Sequence, residues 1–123
     1  MKDKPDNLIV GKIGEDAACK YLASKGYKIL HKNHRTRWSE IDIVAVKGDR
    51  LYFTEVRTKK DVLQGTPEET LNYRKIGKLI RAAYGYLLLD DYKYKKFQID
   101  AICVVLNCEF EVARVSHYQN ITL

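Results

Sequence analysis

The chain has 123 residues, with 22 Lys and Arg against 16 Asp and Glu, a formal net charge of +6 and a pI near 9.2. That length suits one domain, able to bury about two-thirds of the surface its unfolded chain exposes, and it excludes a multidomain machine. A composition 46% apolar and 31% charged, with few Gly and Pro, excludes a disordered or fibrous chain, and the longest apolar stretches, Tyr86–Leu89 and Ala101–Leu106, are too short for a bilayer.

The opening run Met1–Asp6 is polar and lacks the apolar core of a secretory leader. Val10, Ile13, Ala17, Ala18, Tyr21 and Leu22 then recur at helical spacing and Gly26 follows as a stop, predicting a helix over roughly residues 8–25. Glu15 falls at the margin of that apolar stripe. Tyr27–His31 reads as a short strand and Asn33–Ser39 as a basic loop. Glu40–Val46 and Leu51–Arg57 are β-rich runs on either side of Lys47-Gly48-Asp49-Arg50, which predicts a hairpin. Gly65–Glu69 carries a helix-start signature, with Thr66 as cap, Pro67 in the first turn and Glu69 completing a capping box; Asn72 offers a second cap. Ile76, Leu79, Ile80, Ala83 and Leu87 mark a long amphipathic helix ending near Asp90-Asp91. Phe97–Leu106 becomes continuously apolar, as a buried strand does, and Asn107–Glu109 turns the chain into a last strand, Phe110–Val115. The order α-β-β-β-α-β-β predicts a single α/β domain, residues 1–123, with a mixed sheet of about five strands flanked by helices.

Cys19, Cys103 and Cys108 are odd in number and lack C-x-x-C spacing. They argue against a disulfide framework or structural zinc, and for a reducing, cytoplasmic setting. His31, His34 and His117 are scattered, and no metal role is expected of them. The positive charge is clustered: Lys28, Lys32, Arg35 and Arg37 with His31, His34 and Trp38; Arg57, Lys59 and Lys60; Arg74, Lys75, Lys78 and Arg81; Lys93, Lys95 and Lys96 among Tyr92, Tyr94 and Phe97. Cations interleaved with aromatics suit a polyphosphate backbone and stackable bases, so nucleic acid is the expected partner. Solvated faces of ordinary elements are the competing reading.

The hairpin register supplies the sharper observation. Pairing Lys47 with Arg50, or Val46 with Leu51, sets Asp42 opposite Glu55 and Glu40 opposite Arg57. Alternation puts these four on one face with Val44, Val46, Leu51 and Phe53. Opposed carboxylates repel unless something compensates, and two carboxylates with phosphate oxygens and water form a donor set that Mg²⁺ accepts. Glu15 adds a third oxygen if its helix packs on the same sheet end. A plain Glu40–Arg57 ion pair with Asp42 and Glu55 solvated is the alternative, and the residues alone leave both open.

Gly14-Glu15-Asp16-Ala17-Ala18, Tyr21-Leu22, Gly26-Tyr27 and Ile29-Leu30 resemble the opening of the YraN-like family of uncharacterised bacterial proteins. Asn33-x-Arg35 with Ser39-Glu40-Ile41-Asp42-Ile43-Val44-Ala45, then Phe53-Thr54-Glu55-Val56-Arg57, Gly65, Pro67, Lys75 and Asp100-Ala101-Ile102-Cys103-Val104, is similar to its downstream motifs; the resemblance spans about residues 10–105. It implies a restriction-endonuclease-like core of the PD-(D/E)-x-K kind, distantly similar to Holliday junction resolvases. Carried over by position, the metal-gathering acids are Glu15, Asp42 and Glu55, with Mg²⁺ or Mn²⁺ as the cofactor, and Glu40 is a neighbouring active-site acid.

Three positions depart from that pattern. Arg57 stands where the lysine belongs; it stays charged and cannot act as a base, although Lys59 or Lys75 could substitute. Ser39 replaces a glycine, and Gln98 stands where an arginine often precedes the late Phe-Asp pair; Asp100 reads as structural. The resemblance implies a metal-dependent endonuclease acting on branched or junction DNA. Asp42, Glu55 and Glu15 would hold the metal, Arg57 and Lys59 would steady the scissile phosphate, and Arg35, Arg37, Lys60 and Lys75 would grip flanking backbone. A homodimer would supply the two sites that paired incisions need. A non-catalytic nucleic-acid-binding domain, and a protein-interaction module using Tyr84–Phe97, are the other expectations.

Overall fold

The computed structural model describes residues 5–37, 39–63, 65–89 and 96–122. Trp38, the Asp90-Asp91 helix end, and Tyr92 to Lys95 of the fourth basic cluster lie outside these residues. The elements are α1 (Pro5–Ser24), β1 (Lys28–Arg35), β2 (Glu40–Lys47), β3 (Arg50–Lys60), a 3-10 turn (Pro67–Thr70), α2 (Tyr73–Leu89), β4 (Lys96–Leu106) and β5 (Val112–Tyr118). The five strands form one mixed sheet in sequence order. The β1/β2, β2/β3 and β4/β5 pairs are antiparallel, and β3/β4 is parallel, with α2 as its crossover. Among the described residues no helix is long and apolar enough to cross a membrane.

Each helix covers one face of the sheet. Leu79, Ala82, Ala83, Tyr86 and Leu87 of α2 recur at helical spacing and pack on Val44, Val46, Leu51, Phe53 and Ile99. Val10, Ala18 and Leu22 of α1 pack on Ile43, Ala45, Val56, Ile102 and Val104. Residues 99–106 of β4 lie under both layers and are buried throughout, which explains the unbroken apolar run of residues 101–106. Gly26, at φ +90°, ends α1. Its N–H donates to the Ala23 carbonyl at 3.1 Å and that of Tyr27 to Leu22 at 3.0 Å, the paired bonds of a left-handed helix stop.

The hairpin adopts the expected register, Val44↔Phe53, Val46↔Leu51 and Lys47↔Arg50. Other boundaries move. The first strand does not stop at His31: β1 runs to Arg35, pairing Lys32 with Ile43 and Arg35 with Glu40. An edge strand can carry polar side chains along its open side, so the basic composition conceals it. The expected loop 33–39 shrinks to a turn in which Thr36 N–H donates to the Ser39 carbonyl at 2.8 Å.

Thr66 caps the 3-10 turn and not the long helix. Leu71 then leaves in an extended conformation, and Asn72 Oδ1 takes the Lys75 N–H at 3.0 Å to start α2. The last strand begins at Val112, not Phe110. Asn107 Oδ1 accepts the N–H groups of Glu109 and Glu111 at 2.9 Å each, and Phe110 turns the chain at φ +62°.

Asp100 is fully buried and fully satisfied. His117 Nε2 lies 2.8 Å from Oδ2, while Gln98 Nε2 and Asn120 N–H each donate to Oδ1 at 2.9 Å. Gln98 thus serves a structural carboxylate. Tyr21 Oη meets His117 Nδ1 at 3.2 Å, tying α1 to β5. His117→Ala would leave the buried Asp100 carboxylate with only its Gln98 and Asn120 donors and is expected to cost about 1–3 kcal/mol, read by urea unfolding. A loss below about 1 kcal/mol would contradict that role.

Candidate functional site

The β2/β3 ladder stops at Ile43↔Thr54. At the next position the Asp42 carboxylate replaces the ladder: its Oδ2 accepts the Val56 N–H at 2.8 Å. The strands part there, and the two acids the register set opposite each other meet in the opening. Burial, then repulsion from Glu55, pushes the Asp42 carboxyl up to about 8. Glu15 contributes to that repulsion. Its own carboxyl is raised by burial, with a hydrogen bond from Asn33 opposing and Glu40 adding to the shift. Glu15, Glu40, Asp42 and Glu55 therefore share one electrostatic neighbourhood.

Two elements bring them there. Gly14 lets α1 press onto β3: a Cβ at that position would lie 1.8 Å from Thr58 Oγ1, so only glycine permits the approach that seats Glu15. Asn33, in the left-handed region at φ +52° within β1, supplies the Glu15 bond.

The expected Glu40–Arg57 cross-strand pair does not form, because the ladder ends before it. Glu40 faces Arg35 across β1 and β2. Arg57 instead bends along its own strand, placing Nη1 3.3 Å from Glu55 Oε2. Its Nε donates to Thr70 Oγ1 at 2.7 Å, and the Thr70 hydroxyl donates to the Pro67 carbonyl at 2.6 Å. The 3-10 turn that carries Thr70 is anchored in turn. Arg114 grips Glu68 through two bonds of 2.6 and 3.0 Å and Tyr118 Oη donates to it at 2.7 Å. Those partners, Arg114 first, hold the Glu68 carboxyl down at about 2. A chain of contacts from β5 thus fixes the direction of Arg57.

Two clefts meet at this strand end. One, of about 660 Å³, is lined by Ser39, Glu40, Asp42 and Glu55 on one side and Asn72, Arg74, Lys75 and Lys78 on the other. The second, of about 650 Å³, includes Glu15, Arg57, Lys59 and Lys60 in its wall, with Val10, Gly11 and Leu63. β3 runs on to Lys60, so Lys59 follows Glu55 and Arg57 on one face. Lys60 is drawn to Asp6, at 3.6 Å, and over the Phe110 ring. Arg35 and Arg37 line neither cleft. Among the described residues no group of three His, Cys, Asp or Glu side chains forms a ready-made metal cage.

Sequence reasoning missed Asn33 and Thr70 as supports of the site, because each is recruited by backbone geometry distant from the acids. It named Arg74 and Lys78 only as part of a basic cluster; their helical spacing with Lys75 is the signal that ranks them with it.

The molecule is thus a mixed α/β protein with a half-buried acidic pair under a cationic helix end. The chain belongs to the uncharacterised protein family UPF0102, whose model matches residues 14–105, a span containing all four acids and Arg57. It is similar to UPF0102 proteins of Persephonella marina (42% identity, covering 85% of this chain and 90% of that one) and Syntrophomonas wolfei (37%, covering 93% and 97%). One from Caldanaerobacter subterraneus is 36% identical, covering 95% and 97%.

Proposed function

We propose that this protein is a metal-dependent nuclease with a restriction-endonuclease-like core, hydrolysing phosphodiester bonds in DNA. The observation that carries the reading is the juxtaposition of Asp42 and Glu55 where the ladder opens, facing Arg74, Lys75 and Lys78 across one cleft. Like charges gathered at a half-buried strand end cost stability, and perturbed acids in a cleft mark functional sites.

The donor set fits a hard divalent cation. Mg²⁺ takes one or two carboxylates and completes its shell with water and substrate phosphate, so the lack of a third clustered ligand is compatible with it. Asp42 and Glu55 would hold Mg²⁺ or Mn²⁺, with Glu15 and Glu40 within electrostatic reach. Bound there, the ion supplies a water of lowered pKa and charge stabilisation on the phosphoryl oxygens. Arg57, fixed by Thr70 and Glu55, presents a permanent positive charge beside the scissile phosphate; it cannot take a proton. Lys59 follows it along the strand, and Lys75, Arg74 and Lys78 bind the approaching backbone.

The protein should nick or cut DNA with Mg²⁺ or Mn²⁺, and Glu55→Gln should abolish cutting while DNA binding persists. Full cleavage by that variant would refute the assignment. The Arg57–Glu55 contact at 3.3 Å favours a second reading, a binding domain in which arginine occupies the cation position. Salt-sensitive DNA binding with no cleavage under either metal would select it.

A further inference from the structure

We infer that the outer face of α2 is a track for an unpaired nucleic-acid strand, and that the substrate carries such a strand beside the scissile phosphate. The inference rests on the nuclease reading and extends it to a substrate class. Tyr73, the first residue of α2, is 94% exposed, and among the described residues it makes no hydrogen bond or ring contact. Its chain neighbours Asn72 and Arg74 both line the cleft of Asp42 and Glu55. One turn on, Gly77 leaves open space where a side chain would flank the ring. About three turns on, the same line of the helix carries Tyr84, 55% exposed, and then Leu88, 84% exposed.

An aromatic left almost wholly in water beside a functional cleft is poorly explained by folding, since it buries nothing. The charges alongside identify what covers it. α2 carries Arg74, Lys75, Lys78 and Arg81 and no acid at all, and among the described residues none of these four forms an ion pair. A second copy docking through this face would set four cations against four. A polyanion with stackable bases satisfies both features, because phosphates neutralise the cations and a base can lie on the Tyr73 ring. In a duplex the base faces are already stacked, so the ring selects an unpaired strand.

The test is fluorescence anisotropy with a labelled oligothymidine, an abasic oligonucleotide of the same length and a blunt duplex, without divalent metal so that nothing is cut. Tyr73→Ala should weaken oligothymidine binding roughly 5- to 150-fold. Tyr73→Phe should restore it. The same Ala substitution should change abasic and duplex binding less than about twofold. Equal oligothymidine binding by wild type and Tyr73→Ala overturns the track, as does an equal loss on the abasic probe. A dimer in sedimentation that Tyr73→Ala dissociates assigns the face to a second copy and also overturns it. Each of these leaves the carboxylate site standing. Absence of binding to every probe by wild type removes the nuclease reading itself.

Discussion

Replacing Asp42 with Asn is expected to lower metal-dependent cleavage by about three orders of magnitude in a protein that stays folded. Asparagine keeps a side-chain oxygen for the Val56 N–H, now bound at 2.8 Å, so the parted end of the ladder remains filled. What disappears is the charge that Glu55 opposes. The Asp42 carboxyl is raised from 3.8 to about 8 in the folded protein. Between those values the folded chain holds a proton that the unfolded chain has released. Metal-free stability therefore falls as pH rises through that window and levels off above it. The Asp42→Asn variant lacks this slope, so wild type should become progressively less stable relative to the variant from about pH 4 to pH 8. Urea unfolding at a series of pH values measures the difference, and parallel profiles would contradict the repulsion between Asp42 and Glu55.

Gly14→Ala should destabilise the protein by about 3 kcal/mol. The new Cβ would lie 1.8 Å from Thr58 Oγ1 and 2.7 Å from both Thr58 Cβ and Cγ2, and a strand backbone sandwiched between layers cannot retreat. Helix α1 must lift instead, carrying Glu15 away from Asp42, so activity should fall beyond what the loss of folded protein explains. Thr58→Ala removes two of the three clashing atoms. The double variant should recover roughly 1 kcal/mol relative to the sum of the single changes. Additive effects, or a Gly14→Ala protein as stable as wild type, would mean that helix and strand are not in contact here.

The hairpin was legible because its turn is. Either closure around Gly48-Asp49 pairs Val46 with Leu51 and Val44 with Phe53, so the register, and with it the meeting of Asp42 and Glu55, could be read from the residues. The reading failed where a side chain replaces backbone pairing. Extending the register past Asp42 predicted a Glu40–Arg57 pair, whereas the Asp42–Val56 bond ends the ladder and frees Arg57 to reach Glu55 and Thr70. Residues 33–35 looked like loop because an edge strand need not alternate. The cap at Thr66 was real, but it belongs to a separate turn, since Leu71 breaks the helical path before Asn72 restarts it. Thr70 and Glu68 had no local signal at all: their importance comes from Arg57 and Arg114, which the fold brings from other strands.

On the proposed reading, Asp42 and Glu55 form one divalent-cation site per chain. Calorimetric titration of Mn²⁺ into wild type and Asp42→Asn at about pH 8.5, above the raised carboxyl value, tests it most directly. Wild type should show a single saturable site, weaker by an order of magnitude or more near pH 6 where the proton competes, and the variant no measurable site. Equal Mn²⁺ binding by the two proteins, or none by wild type at either pH, would contradict it.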